Sequence, residues 1–198
     1  MSNAKRDALL RLLNYSVKED VAEAATERLY DRYSSLLAIM GQEAEDIAAV
    51  SALPESAAVM PKLLAYIASR RITDGFELGR VHTEQEICQY LMGLFLGLSV
   101  ETVYMLTLDG DGRVMGCEYM GEGTVNSSDV MPRRIIECAV RRGANSIIIA
   151  HNHPGGSPEP SSDDIAATSA LVLITASAGV KLAAHYVVSG GDCRRIPI

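Results

Sequence analysis

A chain of 198 residues, 48% of them hydrophobic, can bury a sizeable core, as one compact domain or as a small helical domain joined to a larger one. Its 18 Lys and Arg stand against 25 Asp and Glu, and the net charge of -7 argues against a protein that holds nucleic acid through a broad basic face. The four cysteines, Cys88, Cys117, Cys138 and Cys193, are widely spaced and form no CxxC pair, so neither a zinc ribbon nor a disulfide scaffold is indicated and a reducing cytoplasm is the expected setting.

The chain opens with no basic, apolar signal segment, and its longest apolar run, LMGLFLGLSV, is about half a membrane span, so no membrane contact is expected. From Lys5 to about Arg71, DALLRLLNYS, VAEAATERLYDRYSSLLAIM and MPKLLAYIASRR carry leucines, alanines and tyrosines at helical spacing, which predicts a small all-α bundle. ITDGFELGRVHT breaks that period with Gly75 and Gly79, placing a boundary near Thr73 to Val81, with a helical domain over 5–75 and a second domain over 81–198.

Beyond the boundary, Thr83 with Glu86 three positions on is a capping box that starts a helix through TEQEICQYLMGLFLGL. TVYMLTLDGDGRVMGCEYM then places two β-rich runs around Asp109-Gly110-Asp111-Gly112, an antiparallel hairpin; the turn resembles a calcium loop only with an incomplete ligand spacing. SSDVMPRRIIECAVRRGA reads as a helix with a Ser-x-x-x-Met-Pro start and a stop at Gly143. SIIIA is a short apolar, β-branched central strand, SSDDIAATSALVLITASAG another capped helix, and VKLAAHYVVSGGD one or two closing strands. The expected fold class is α/β: a mixed sheet flanked by helices and preceded by the small all-α bundle.

The segment HNHPGGSPEPSSDD, residues 151 to 164, carries the chemistry. His151 and His153 follow the apolar strand at its carboxyl end, and side chains two apart project to one side, so both imidazoles can reach one ion. Zinc takes such nitrogens readily, and Asp164 as third ligand would leave a fourth position open for water. Ser161-x-x-Asp164 is also a capping-box pattern, and the two uses of Asp164 can coexist, because a helix's first turn can aim its carboxylate back toward the strand end. Asn152 reads as a turn stabiliser or as a group that orients backbone or substrate; Gly155 and Gly156 supply backbone freedom; Arg133 and Arg134 read as solvated surface or as contacts for an acidic substrate.

These residues resemble a known family. His151-x-His153, seven residues, Ser161, two residues, Asp164 matches the JAMM (MPN+) metalloprotease signature, and AHNHPGGSPEPS is similar to its bacterial RadC branch, a resemblance that runs from roughly Val81 to Asp192. It implies a JAB/MPN fold related to cytidine deaminases, Zn2+ held by His151, His153 and Asp164, an upstream glutamate that activates the zinc-bound water, and Ser161 helping to hold the tetrahedral intermediate. Deamination itself is disfavoured, since the H-x-E and P-C-x-x-C ligand pattern is absent. Glu101, just before the first sheet strand, has the placement of the general base, with Glu118 and Glu122 as competitors. RadC-type sequences usually carry an aspartate before the late histidine; Ala184 stands there instead, which leaves His185 open between a role behind the ligands and ordinary packing.

The implied activity is hydrolysis of a peptide or isopeptide amide in a peptide or protein substrate, with Glu101 and Ser161 as catalytic residues. RadC-type proteins are commonly labelled DNA repair proteins, and their N-terminal part resembles a helix-hairpin-helix module. Here IAAVSALPESAA occupies that place with Ala52 and Pro54 where hairpin glycines would stand, and residues 1 to 80 hold ten Lys and Arg against twelve Asp and Glu, so DNA is a weakly supported partner. A non-enzymatic, DNA-associated repair or recombination accessory protein is the alternative reading, and a metal-free interaction scaffold a third.

Overall fold

A computed structural model describes residues 3–123 and 130–198, and the described residues form nine helices and five strands. They divide into two compact units, Met1–Arg71 with Leu96–Ser99, and Ile72–Phe95 with Val100–Ile198. No single helix among the described residues is long and apolar enough to cross a membrane.

The first unit is all helical: α1 (Asn3–Leu13), α2 (Glu19–Tyr33), α3 (Leu36–Met40), α4 (Ala44–Ser51), α5 (Glu55–Ala58) and most of α6 (Met60–Thr73). Leu9, Leu13, Ala22, Leu29, Ile39 and Ile47 close its core. The single helix expected over residues 21–40 is two. Ser34 takes a left-handed φ of 63° and caps α2 with its N–H on the Tyr30 carbonyl, and the Ser35 hydroxyl accepts from the Ala38 N–H to start α3. Ala52 adopts φ 60°, a backbone conformation that glycine takes more readily, so this turn keeps a glycine-like shape without the glycine.

The second unit builds the sheet. The Thr83 hydroxyl accepts from the Glu86 N–H while the Glu86 carboxylate accepts from the Thr83 N–H, the reciprocal box that opens α7 (Glu84–Phe95). β1 (Thr102–Leu108) and β2 (Val114–Glu122) pair antiparallel, and Asp109 Oδ1 in their turn accepts from the N–H groups of Asp111 and Arg113, the work of an ordinary turn aspartate. α8 (Val130–Arg141) follows; the Ser127 start proposed for it lies outside the described residues. β3 (Ser146–Asn152), α9 (Ser162–Ser177), β4 (Lys181–Ser189) and β5 (Asp192–Arg195) complete a five-stranded mixed sheet in the order β2-β1-β3-β4-β5, with β3 and β4 parallel and every other pair antiparallel.

The parallel pair needs a crossover, and α9 supplies it. On one face Val103, Met105, Ile147 and Ile149 pack against Ile135 and Ala139 of α8 and Ala167 and Leu171 of α9. β4 carries a bulge: Leu182 lies opposite Ile147 and Ala184 opposite Ile148, leaving Ala183 as the extra residue. Leu182 and His185 would otherwise fall on opposite faces. With the bulge both reach the side covered by α9, Leu182 in the core and His185 in contact with Thr168.

Truncating the centre of this core tests the arrangement. Ile149→Ala is expected to lower stability by about 2–5 kcal/mol, read as a shift of the urea midpoint at an unchanged slope; a shift within the error of the measurement would mean that β3 is not the keystone of the second unit.

Candidate metal centre

β3 is buried from Ile147 to Asn152 and runs two residues further than the apolar pattern marks. His151 is a strand residue, paired with Val103 of β1 on one side and Val187 of β4 on the other, and is 1% exposed. His153 lies just past the strand, and its N–H donates to the Val188 carbonyl. The turn after it is pinned by the Ser189 hydroxyl, within hydrogen-bond distance of the carbonyls of His153 and Gly156 (2.7 and 2.8 Å). Gly155 takes φ 67°, which the turn requires.

Four predicted site residues converge. His151 Nε2 lies 3.1 Å from His153 Nε2 and 3.1 Å from Asp164 Oδ1, and Asp164 Oδ2 lies 3.4 Å from His153 Nε2. A Glu101 carboxylate oxygen and one nitrogen from each histidine lie within 4.8 Å of one another. The donor set of two imidazoles with carboxylates beside them suits a divalent ion. Two details support the fit. His153 Nδ1 lies 2.9 Å from the Ser157 carbonyl, an atom that can only accept, so the neutral ring carries its proton there and presents a bare Nε2 to the cluster. Glu101 Oε1 is buried without a hydrogen-bond partner, a costly state that a cation would relieve.

Ser161 and Asp164 form the reciprocal capping box of α9, and the Ser161 hydroxyl donates to Asp164 Oδ2 at 2.6 Å. The carboxylate therefore caps the helix and faces both histidines at once, while the serine hydrogen rests on the aspartate. Glu118 sits opposite Met105 and pairs with Arg142, and Glu122 is exposed opposite Thr102. Of the three glutamates weighed, Glu101 is the one that joins the histidines. Arg133 pairs with Glu137 on the surface of α8.

Two further residues contribute: Asn152, whose contacts match its backbone-orienting reading, and Thr168, which the sequence pattern does not single out. Asn152 does more than stabilise a turn: its Oδ1 accepts from the Thr102 N–H at 2.7 Å and its Nδ2 donates to the Val100 carbonyl at 3.1 Å, so it grips the backbone on both sides of Glu101. Thr168 lies one helical turn beyond Asp164, and its hydroxyl contacts His185 Nδ1 at 2.7 Å; the Asp164, Thr168, Leu171 spacing on one buried face of α9 was the available signal.

Burial lowers the pKa of His151 to about 4 and that of His185 to about 3, and so keeps both rings neutral. The two carboxyls diverge. Burial raises Glu101, with His153 opposing and Asp164 reinforcing. Burial also pushes Asp164 up, but the Ser161 hydrogen bonds and the two histidines together hold it below its ordinary value.

A family model described as RadC-like JAB domain matches residues 81–194. A UPF0758 protein of Herminiimonas arsenicoxydans is 31% identical over 159 residues, 80% of this chain and 71% of its own length. One from Janthinobacterium sp. (strain Marseille) is 30% identical over 82% of this chain and 73% of its own, and one from Chromobacterium violaceum is 29% identical over 93% and 83%.

Two predictions follow from this geometry. Asn152→Ala leaves the Thr102 N–H unpaired and the Val100 carbonyl with only the Thr102 hydroxyl, and is expected to cost about 1–3 kcal/mol, with faster hydrogen exchange at Thr102; unchanged exchange there would show that the grip is dispensable. Because both buried histidines titrate below the ordinary 6.5, the unfolded chain binds more protons than the folded one as pH falls from 6.5 toward 4. Metal-free protein should lose stability across that interval, opposed by the raised pKa of Glu101, and a urea midpoint that does not fall would contradict it.

Proposed function

The chain belongs to the RadC-like JAB domain family, and from that premise we propose that it is a zinc-dependent metallohydrolase cleaving a peptide-like amide in a peptide or protein substrate. The supporting observation is the convergence of His151, His153 and Asp164 around one point, with the Glu101 carboxylate alongside. In this reading residues 81–198 are the hydrolase domain, 5–75 are a helical domain, and the protein works in the cytoplasm.

His151 and His153 through Nε2 and Asp164 through its carboxylate would hold Zn2+. Bound zinc supplies a Lewis acid that polarises a carbonyl and brings the pKa of its water near neutrality. Glu101, its pKa raised by burial, accepts a proton from the attacking water and returns it to the leaving amine, the task of a positioned general acid-base. Asn152 holds the backbone that presents Glu101. Ser161 turns its hydroxyl from Asp164 to the developing oxyanion and donates to it there.

Metal content by mass spectrometry, followed by a panel of peptide and isopeptide substrates, tests this reading. Wild type should carry close to one zinc per chain and His153→Ala should lose it, whereas Glu101→Gln should keep the metal and lose about 100-fold or more in turnover. Wild type without zinc, even after incubation with it, would overturn the proposal. Zinc without hydrolysis, together with salt-sensitive DNA binding at physiological ionic strength, would favour a DNA-associated accessory role.

A further inference from the structure

The imidazole of His151 has a partner on each nitrogen. Nε2 faces His153 and Asp164; Nδ1 lies 3.0 Å from His185 Nε2. His185 Nδ1 lies 2.7 Å from the Thr168 hydroxyl, and that hydroxyl lies 2.6 Å from the backbone carbonyl of Asp164. His151, His185 and Thr168 are all at most 1% exposed, so water does not complete any of these contacts.

Counting hydrogens along the series fixes its direction. The Asp164 carbonyl can only accept, so Thr168 gives it the single hydroxyl hydrogen. Thr168 Oγ1 then accepts from His185 Nδ1–H. A neutral His185 is bare at Nε2 and accepts from His151 Nδ1–H, and a neutral His151 is bare at Nε2, the atom that faces the centre. The reverse direction needs the Thr168 hydroxyl to abandon the carbonyl and donate to His185. It protonates Nε2 of both histidines and removes His151 from the ligand set.

We propose that Thr168 and His185 form a hydrogen-bond relay that fixes His151 in the tautomer able to ligate a metal ion, and thereby sets how tightly the centre holds it. Thr168 and His185 are positioning residues: neither faces the ion, and both act through the orientation and proton position of His151. The proposal deepens the metal-centre reading above and rests on it.

Backbone geometry supports the relay at both ends. The bulge at Ala183 brings His185 to the face of α9, and the spacing of four between Asp164 and Thr168 puts carbonyl and hydroxyl one turn apart. Asp164 enters twice, by its carboxylate at the centre and by its carbonyl at the end of the relay. Ala184 pairs with Ile148 and so lies on the face opposite His185, where it leaves the relay untouched.

Competition for Zn2+ against a chromophoric chelator, with long-range 1H–15N spectra of the imidazoles in the zinc-loaded full chain, tests the proposal; with four histidines the spectra are simple to assign. Wild type should show the proton of His185, like that of His151, on Nδ1. Thr168→Val, close in shape but without a hydroxyl, should weaken Zn2+ binding by about 10- to 100-fold, and Thr168→Ser should bind like wild type. His185 protonated on Nε2 in zinc-loaded wild type, or Thr168→Val binding as tightly as wild type, overturns the relay and leaves the metal centre standing. Wild type that binds no Zn2+ overturns the centre and the relay with it. Should Thr168→Val fail to fold, the wild-type spectrum decides alone.

Discussion

β3 is buried on both sides by its neighbours, yet it ends in His151 and Asn152, and a polar group taken out of water has to find a partner inside the protein. Most of the centre can be read as the satisfaction of that demand. Asn152 finds its partners on either side of Glu101, and His151 finds one on β4 while its other nitrogen faces Asp164 at the start of α9. An apolar strand carries these groups into the interior, and the elements around it are held where they are partly by the hydrogen bonds the groups must make. Stability and chemistry draw here on the same side chains.

The surroundings of the two carboxylates set them apart. Asp164 sits at a helix N-terminus, where the backbone dipole and its hydrogen bonds from Ser161 favour the charged form in spite of burial. Glu101 receives no such help: one oxygen is buried without a hydrogen-bond partner, and desolvation moves it the other way. A carboxylate that stays charged suits holding a cation, and one that protonates more readily suits moving a proton. Separation of paired acids by environment is a recurring way to obtain two functions from one chemical group.

The features legible in the sequence are those whose physics is local. The period of SIIIA, the hairpin around Asp109 to Gly112, and the capping boxes at Thr83 and Ser161 each need only a few neighbouring residues, and each is found where the pattern places it. The break at Ser34 was missed because the leucine and alanine period continues through it, while the two serines cap in opposite directions. The apolar pattern ends before His151, since nothing local reveals that β1 and β4 both pair at that level. Thr168 and His185 depend on a bulge one strand away and on the packing of α9, and no window of sequence contains both. Asn152 is visible as a polar residue between two histidines, but its partners lie at the start of β1 and two residues before it.

The three residues proposed to hold an ion, His151, His153 and Asp164, lie within one short segment, whereas Glu101 and His185 come from elsewhere in the chain. Glu101 reaches them only once β1 has paired antiparallel with β3, and His185 only once the α9 crossover has closed the parallel pair with β4. Such non-local pairings form late, because the entropy of closing the intervening loops opposes them before the new contacts compensate. Glu101 and His185 therefore join the two histidines and Asp164 only in the finished topology, and an ion that favoured that arrangement would add its binding free energy to the native state. The full cluster exists only in a chain whose strand order is complete.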